Sequence, residues 1–93
     1  MSETMWRHSP GAVHVDSGER VVVLDLTSRD PRPQVLEGVA AVIWRLLEKP
    51  QTEEELVSAL LEEYADADPA RVATDTAAFI EQLASAKLVT GDL

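Results

Sequence analysis

Cysteine is absent, and that single gap removes disulfide staples, thiol nucleophiles and thiolate metal sites together. Histidine is scarce as well. His8 and His14 are the only two, and they lack the helical spacing of a His-x-x-x-His metal pair. No metal or other cofactor is therefore expected. The four glycines, Gly11, Gly18, Gly38 and Gly91, are too scattered to form a phosphate-cradling loop. No Gly-x-Ser-x-Gly elbow exists, and Ser58 and Ser85 fall mid-helix without a partner base. Carboxylates are plentiful in the second helix, but they follow solvated helical spacing, whereas catalytic pairs need a desolvated cleft. The chain is not expected to be an enzyme. No apolar run approaches the eighteen or more residues of a membrane span, and no signal-peptide pattern opens the chain, so a cytoplasmic location without membrane contact is expected.

Cations are the minority charge. Eight Lys and Arg face seventeen Asp and Glu, for a formal net charge of −9. The imbalance is concentrated in residues 34–93, which carry four cations against twelve carboxylates, while residues 1–33 carry four against five. Nucleic-acid binding depends on neutralising phosphates with cations, so this surface has the wrong sign for it. An acidic helical half would instead steer a basic peptide or protein, or serve solubility alone.

What the sequence does hold is enough for one core. With 93 residues and 45% hydrophobic content, residues 1–93 are read as a single folded domain, with 1–11 a loose lead-in ending in the turn Ser9-Pro10-Gly11. Trp6 within it is read either as a cover for one end of the core or as an exposed anchor. Residues 12–15 and 20–26 are β-rich runs separated by Asp16-Ser17-Gly18-Glu19, which is hairpin punctuation. In the second run Val22, Leu24 and Leu26 would share one face and Val21, Val23 and Asp25 the other. Both faces begin apolar, so this strand is read as the middle one. A third strand over about residues 32–36 is confined to an edge by Pro31 and Pro33.

Residues 39–47 then read as a helix apolar on nearly every side, with Arg45, Glu48, Lys49 and small Ala41 as its narrow polar stripe. Such a helix packs inside, against several elements. Thr52-Glu53-Glu54-Glu55 is a capping box opening a second helix with Leu56, Leu60 and Tyr64 on its apolar stripe. Asp68-Pro69 starts a third, as cap and first helical residue. There Val72, Thr76, Phe79, Ile80 and Leu83 give the spacing of a buried face, and Asp75, Ala78, Gln82 and Ala86 form a mixed stripe beside it. Leu88-Val89 is expected to pack back on the core. Strands followed by helices imply an α+β fold: a three-stranded antiparallel sheet followed by three helices, the inventory of a winged-helix-like domain.

The run Val22-Val23-Leu24-Asp25-Leu26, a loop, Val35-Leu36 and then Ala40-Ala41-Val42-Ile43-Trp44-Arg45-Leu46-Leu47 resembles the PqqD-like family. The pattern continues through Thr52, Glu55, Leu56, Val57, Leu60 and Tyr64, then Asp75, Phe79, Ile80, Leu83, Lys87, Leu88 and Val89. It spans roughly residues 12–90 and is closest in character to the stand-alone type of lasso-peptide biosynthesis. The chain departs from the family at Glu37-Gly38-Val39, where a polar turn such as Asn-Pro-Thr is common. That departure falls at the lower corner of the cleft.

The resemblance implies a peptide-recognition element for ribosomally made, modified peptides. Such domains bind the leader of a precursor peptide as an added strand on their third strand, in a cleft walled by the third helix. They present it to a separate cysteine-protease leader peptidase, with the cyclase as a further partner. Carried onto this chain, the edge is Arg32, Pro33, Gln34, Val35 and Leu36. The wall is Asp75, Ala78, Phe79 and Gln82, where Ala78 and Gln82 leave space and Phe79 can stand upright. From the residues alone Leu36 reads first as core. Val35 and Phe79 read as core or cleft, and Asp75 and Gln82 as cleft or plain solvent. An exposed edge strand is independently a template for strand addition. The competing reading is a winged-helix DNA-binding regulator, which a third helix holding only Arg71 and Lys87 against Asp75 and Glu81 serves poorly.

Overall fold

The computed structural model describes residues 4–92, except for the side chain of residue 92. Five strands and three helices run in the order β1 (Met5–His8), β2 (Ala12–Asp16), β3 (Arg20–Asp25), β4 (Gln34–Glu37), α1 (Val39–Leu46), α2 (Glu53–Glu63), α3 (Pro69–Ser85) and β5 (Val89–Asp92). Strands β2, β3 and β4 form an antiparallel sheet in that order, so β3 is the middle strand and β4 lies at an edge. This is an α+β domain, as the sequence pattern implies.

The lead-in is a correction. Residues 5–8 are not loose but form β1, which pairs with β5 in a second, two-stranded antiparallel sheet. Trp6 covers the core from this strand, and its backbone exchanges hydrogen bonds with Gln51 at 2.7 and 2.9 Å.

Period-two alternation sorts the three-stranded sheet into two unlike faces. Val21 and Val23 are fully buried, and their partners Leu36 and Gln34 share that face. This is the face the helices cover. Val22 pairs with Val15 and Val35, and Leu24 with Val13, so an aliphatic set lies on the face away from the helices. There Val15 is 71% and Leu26 59% exposed.

The helix boundaries follow local chemistry. Gly38 caps α1 at φ 58° and ψ −131°, a combination that side chains strongly disfavour and glycine tolerates. It lets the chain turn from β4 into α1 through a single residue. Ile43, Trp44 and Leu47 are buried as expected of a central helix. Ala41, read as part of the polar stripe, is instead 1% exposed, because its small side chain fits where the helix meets its neighbours. Arg45 reaches over the β2–β3 turn: its Nε and Nη2 donate to the two Asp16 carboxylate oxygens at 2.8 Å each, and Nη2 also donates to the Gly18 carbonyl at 2.9 Å. This fork holds the Asp16 carboxyl well down, to about 2.

Thr52 and Glu55 complete the capping box of α2, with bonds of 3.1 and 2.9 Å, and Asp68 caps α3 through Ala70 N–H. Replacing such a cap costs about 0.5–2 kcal/mol. Thr76, Ile80 and Leu83 of α3 are buried, and Val72 and Phe79 pack against the core while partly open.

Candidate peptide-binding groove

One edge of β4 is bonded to β3. The other faces solvent, so its N–H and C=O groups are available to a further strand. The strand is shorter and later than the sequence suggests: Gln34–Glu37 rather than residues 32–36. Pro33 precedes the ladder and costs it no bond.

Two cavities lie along α3, one reaching the start of β4 and the other set against α1, which follows β4 in the chain. At the start of β4 a cavity of about 460 Å³ is lined by Gln34 and Arg32 on the strand side and by Ser85, Ala86 and Lys87 at the end of α3, with Asp25, Arg29 and Asp30 around it. The other, of about 420 Å³, lies between the first turn of α1 and the middle of α3. Ile43, Leu60 and Thr76 floor it and are buried, whereas Val39 and Tyr64 form an exposed rim. Phe79, Val72 and Asp75 complete its α3 side. Between the two, α3 presents the shallow depression of Ala78, Glu81 and Gln82, which leads to Ser85 and Ala86. The groove is thus charged at one end and apolar at the other.

The expected site residues divide accordingly. Arg32 and Gln34 share the charged cavity, Asp75 and Phe79 the apolar one, and Ala78 and Gln82 the depression between. Three positions fall elsewhere. Pro33 lines neither cavity nor the depression and precedes β4. Leu36 is 5% exposed and belongs to the core. Val35, read from the sequence as core or cleft, is 53% exposed on the sheet face away from the helices. Arg29, Val39, Tyr64, Ser85 and Lys87 line the groove without having been singled out for it. The sequence pattern puts Val39 and Tyr64 on apolar helix faces, but Tyr64 ends α2 as its C-cap and Val39 begins α1, so both project beyond the packed turns.

Electrostatics at the charged end are partly committed. Asp25 accepts from the Thr27 hydroxyl at 2.6 Å and from the Thr27 N–H at 2.9 Å. These bonds, the hydroxyl first, hold its carboxyl below the ordinary range, and nearby Lys87 adds to the effect. Arg32 meets Asp30 at 3.3 Å with both side chains largely in solvent, a pair worth little. On α3, Arg71 lies 3.9 Å from Asp75. Among the described residues no group of three or more His, Asp and Glu could hold a metal ion.

The family described as coenzyme PQQ synthesis protein D (PqqD) matches residues 20–89 of this chain. The chain belongs to the PqqD family. Its match includes both walls of the groove: β4 and the whole of α3. A solved structure described as TbiB1 in complex with the TbiA(beta) leader peptide is similar throughout, with a TM-score of 0.83 and 31% sequence identity, covering 94% of this chain and 98% of that one. No curated protein matches the sequence. The PqqD family and the TbiB1 likeness agree with the α+β fold of strands and three helices described above.

Proposed function

We propose that this PqqD-family protein is a non-enzymatic adaptor that binds the leader of a ribosomal precursor peptide by strand addition to β4 and delivers it to a separate leader peptidase, in lasso-peptide biosynthesis. The observation that carries the proposal is the open edge of β4 lying beside the groove along α3. TbiB1, similar over almost the whole chain, is a protein in complex with a leader peptide, and the same class of ligand suits this groove.

Magnitudes divide the work between backbone and side chains. Strand β4 has four residues, and alternate residues present their N–H and C=O outward, so about four bonds to a guest are available. At a net of about 0.5–1.5 kcal/mol each they supply about 2–6 kcal/mol, before the cost of ordering the guest. Micromolar affinity needs about 8 kcal/mol. Buried guest side chains must make up the difference, at about 1.5–3 kcal/mol apiece. The cavity bounded by Phe79, Ile43 and Tyr64 is the place for one of them.

Delivery needs a second surface, and the aliphatic outer face of the sheet suits it. Val13, Val15, Leu26 and Val35 are exposed there beside Val22 and Leu24, and contiguous apolar surface of this kind marks protein contact sites. Val35 places that face next to the guest strand, so a peptidase docked on the sheet would meet the leader directly.

Fluorescence anisotropy with a labelled synthetic leader of the cognate precursor peptide tests the proposal. Saturable binding in the micromolar range or tighter is expected, and no binding at tens of micromolar would sink it. DNA binding has no comparable support: the one cation in α3 is Arg71, beside Asp75, and Lys87 follows just past its end.

A further inference from the structure

We infer that the charged end of the groove is a carboxylate-reading subsite, in which Lys87 with Arg29 and Arg32 receives an acidic side chain of the guest peptide and thereby fixes the guest's direction. The inference rests on the strand-addition reading and adds to it a substrate class and a polarity.

Three observations converge. The first is charge. In a chain of net charge −9, three of the eight cations line one cavity. Of the two carboxylates there, Asp25 takes both Thr27 donors on Oδ1 and feels Lys87 only from beyond ion-pair distance, and Asp30 is paired with Arg32. Neither Arg29 nor Lys87 forms an ion pair among the described residues.

The second is backbone strain. Leu88 N–H bonds to the Leu83 carbonyl and Lys87 N–H to the Ala84 carbonyl, each at 2.9–3.0 Å, which is the Schellman closure of a helix. Its pivot is Lys87, at φ 62°, the left-handed position that usually takes glycine. A cation near a helix C-terminus suits the dipole, but any residue of the last turn would serve that purpose. The dipole does not explain a long charged side chain on the one position where it is strained. Strained residues concentrate at ligand clamps, and this one lines the cavity.

The third is position. Gln34 begins β4 and lines the same cavity, so a strand laid on the outer edge of β4 passes its mouth. The sheet is antiparallel throughout, and antiparallel pairing is the more stable continuation. A guest running opposite to β4 enters at the apolar cavity beyond Glu37 and leaves at the cationic one beside Gln34. At about 3.4 Å per residue, its acidic side chain falls about four to six residues C-terminal to its apolar anchor. Both side chains are on the helix-facing side, so the spacing is even.

The experiment uses the full chain and the same labelled synthetic leader, together with leaders in which each acidic residue is changed singly to its amide. Lys87→Gly removes the cation while relaxing the backbone, so it should melt no lower than wild type and yet bind the wild-type leader about tenfold more weakly. Arg29→Ala combined with Arg32→Ala should weaken binding in the same direction. One amide-bearing leader, at the predicted spacing, should lose a similar factor on the wild-type protein and nothing further on Lys87→Gly. Lys87→Glu should recover affinity for the leader carrying Lys at that place.

Wild-type binding that is unmoved, within twofold, by Lys87→Gly and by every amide leader overturns the inference while leaving strand addition intact. So does an acidic contact mapping N-terminal to the anchor, or inorganic phosphate displacing the leader at low millimolar concentration, which marks a general anion site. A wild-type protein that binds no leader overturns the strand-addition reading itself.

Discussion

His8 lies half-buried between two rings. It stacks on the Trp44 indole at a centroid distance of 3.7 Å and 12°, with His14 edge-on at 5.6 Å, and its Nε2 is 2.7 Å from the Trp44 carbonyl. Burial, the largest influence, pushes the imidazole below its ordinary 6.5; the carbonyl and Glu48 work against that, and His14 works with it. Because the folded pKa is the lower one, the unfolded chain takes up the proton first as pH falls. Stability from this group is therefore full above about 6.5 and declines below it. A urea midpoint lower at pH 5.5 than at pH 7.5 is expected, with a flatter dependence in His8→Gln. No feature of the sequence announces this stack, since its members come from β1 and α1 and only the tertiary fold brings them together. The same holds for Lys87, whose left-handed backbone is invisible in a string of letters. Thr52 and Glu55 are the contrary case: a capping box is closed within four residues, so its chemistry is readable in place.

At the level of elements, alternate residues of β4 direct their backbone groups toward β3 and toward solvent. Proline at Gln34 and at Val35 therefore has opposite consequences. One substitution removes a donor from the β3 ladder and lowers the melting temperature. The other removes a donor offered to the guest and leaves the fold near native. The variant that keeps its circular dichroism and melting temperature is expected to lose leader binding by tenfold or more; retained affinity in that variant would exclude strand addition. The central hairpin and all three helices are legible because each carries its own period and punctuation. Strands β1 and β5 are not. Each is four residues long, they pair only with one another within their sheet, and neither has a turn linking it to its partner. The third strand was legible as an edge but misplaced by two residues, since the prolines that confine it lie outside the ladder. The groove was half legible: its α3 wall follows helical spacing, while its rim depends on where α1 and α2 stop.

Across the whole molecule, two surfaces of different kind lie on opposite sides of one sheet. The groove side combines a cation-lined end with an apolar one, and the outer side is aliphatic. Separate surfaces imply separable losses. Val15→Glu, at the most exposed of the aliphatic positions, should change stability by no more than about 0.5 kcal/mol and leave leader affinity unchanged. In a reconstituted assay it should lower leader removal by the peptidase at least tenfold. Undiminished processing would exclude the sheet face as the docking surface. The chain's acidity, concentrated in α2, tells nothing of either surface; only the register of the strands shows that Val13, Val15, Val22, Leu24 and Val35 stand together.

The pairing of β1 with β5 also has a geometric outcome. Met5 stands opposite Asp92 and Trp6 opposite Gly91, so the two ends of the described chain are about 5 Å apart across an antiparallel ladder. Residues 5–92 are in effect a closed loop. Such a loop is suited to transplantation into a surface turn of an unrelated host, both junctions fitting where one peptide bond was cut and neither stretching the host.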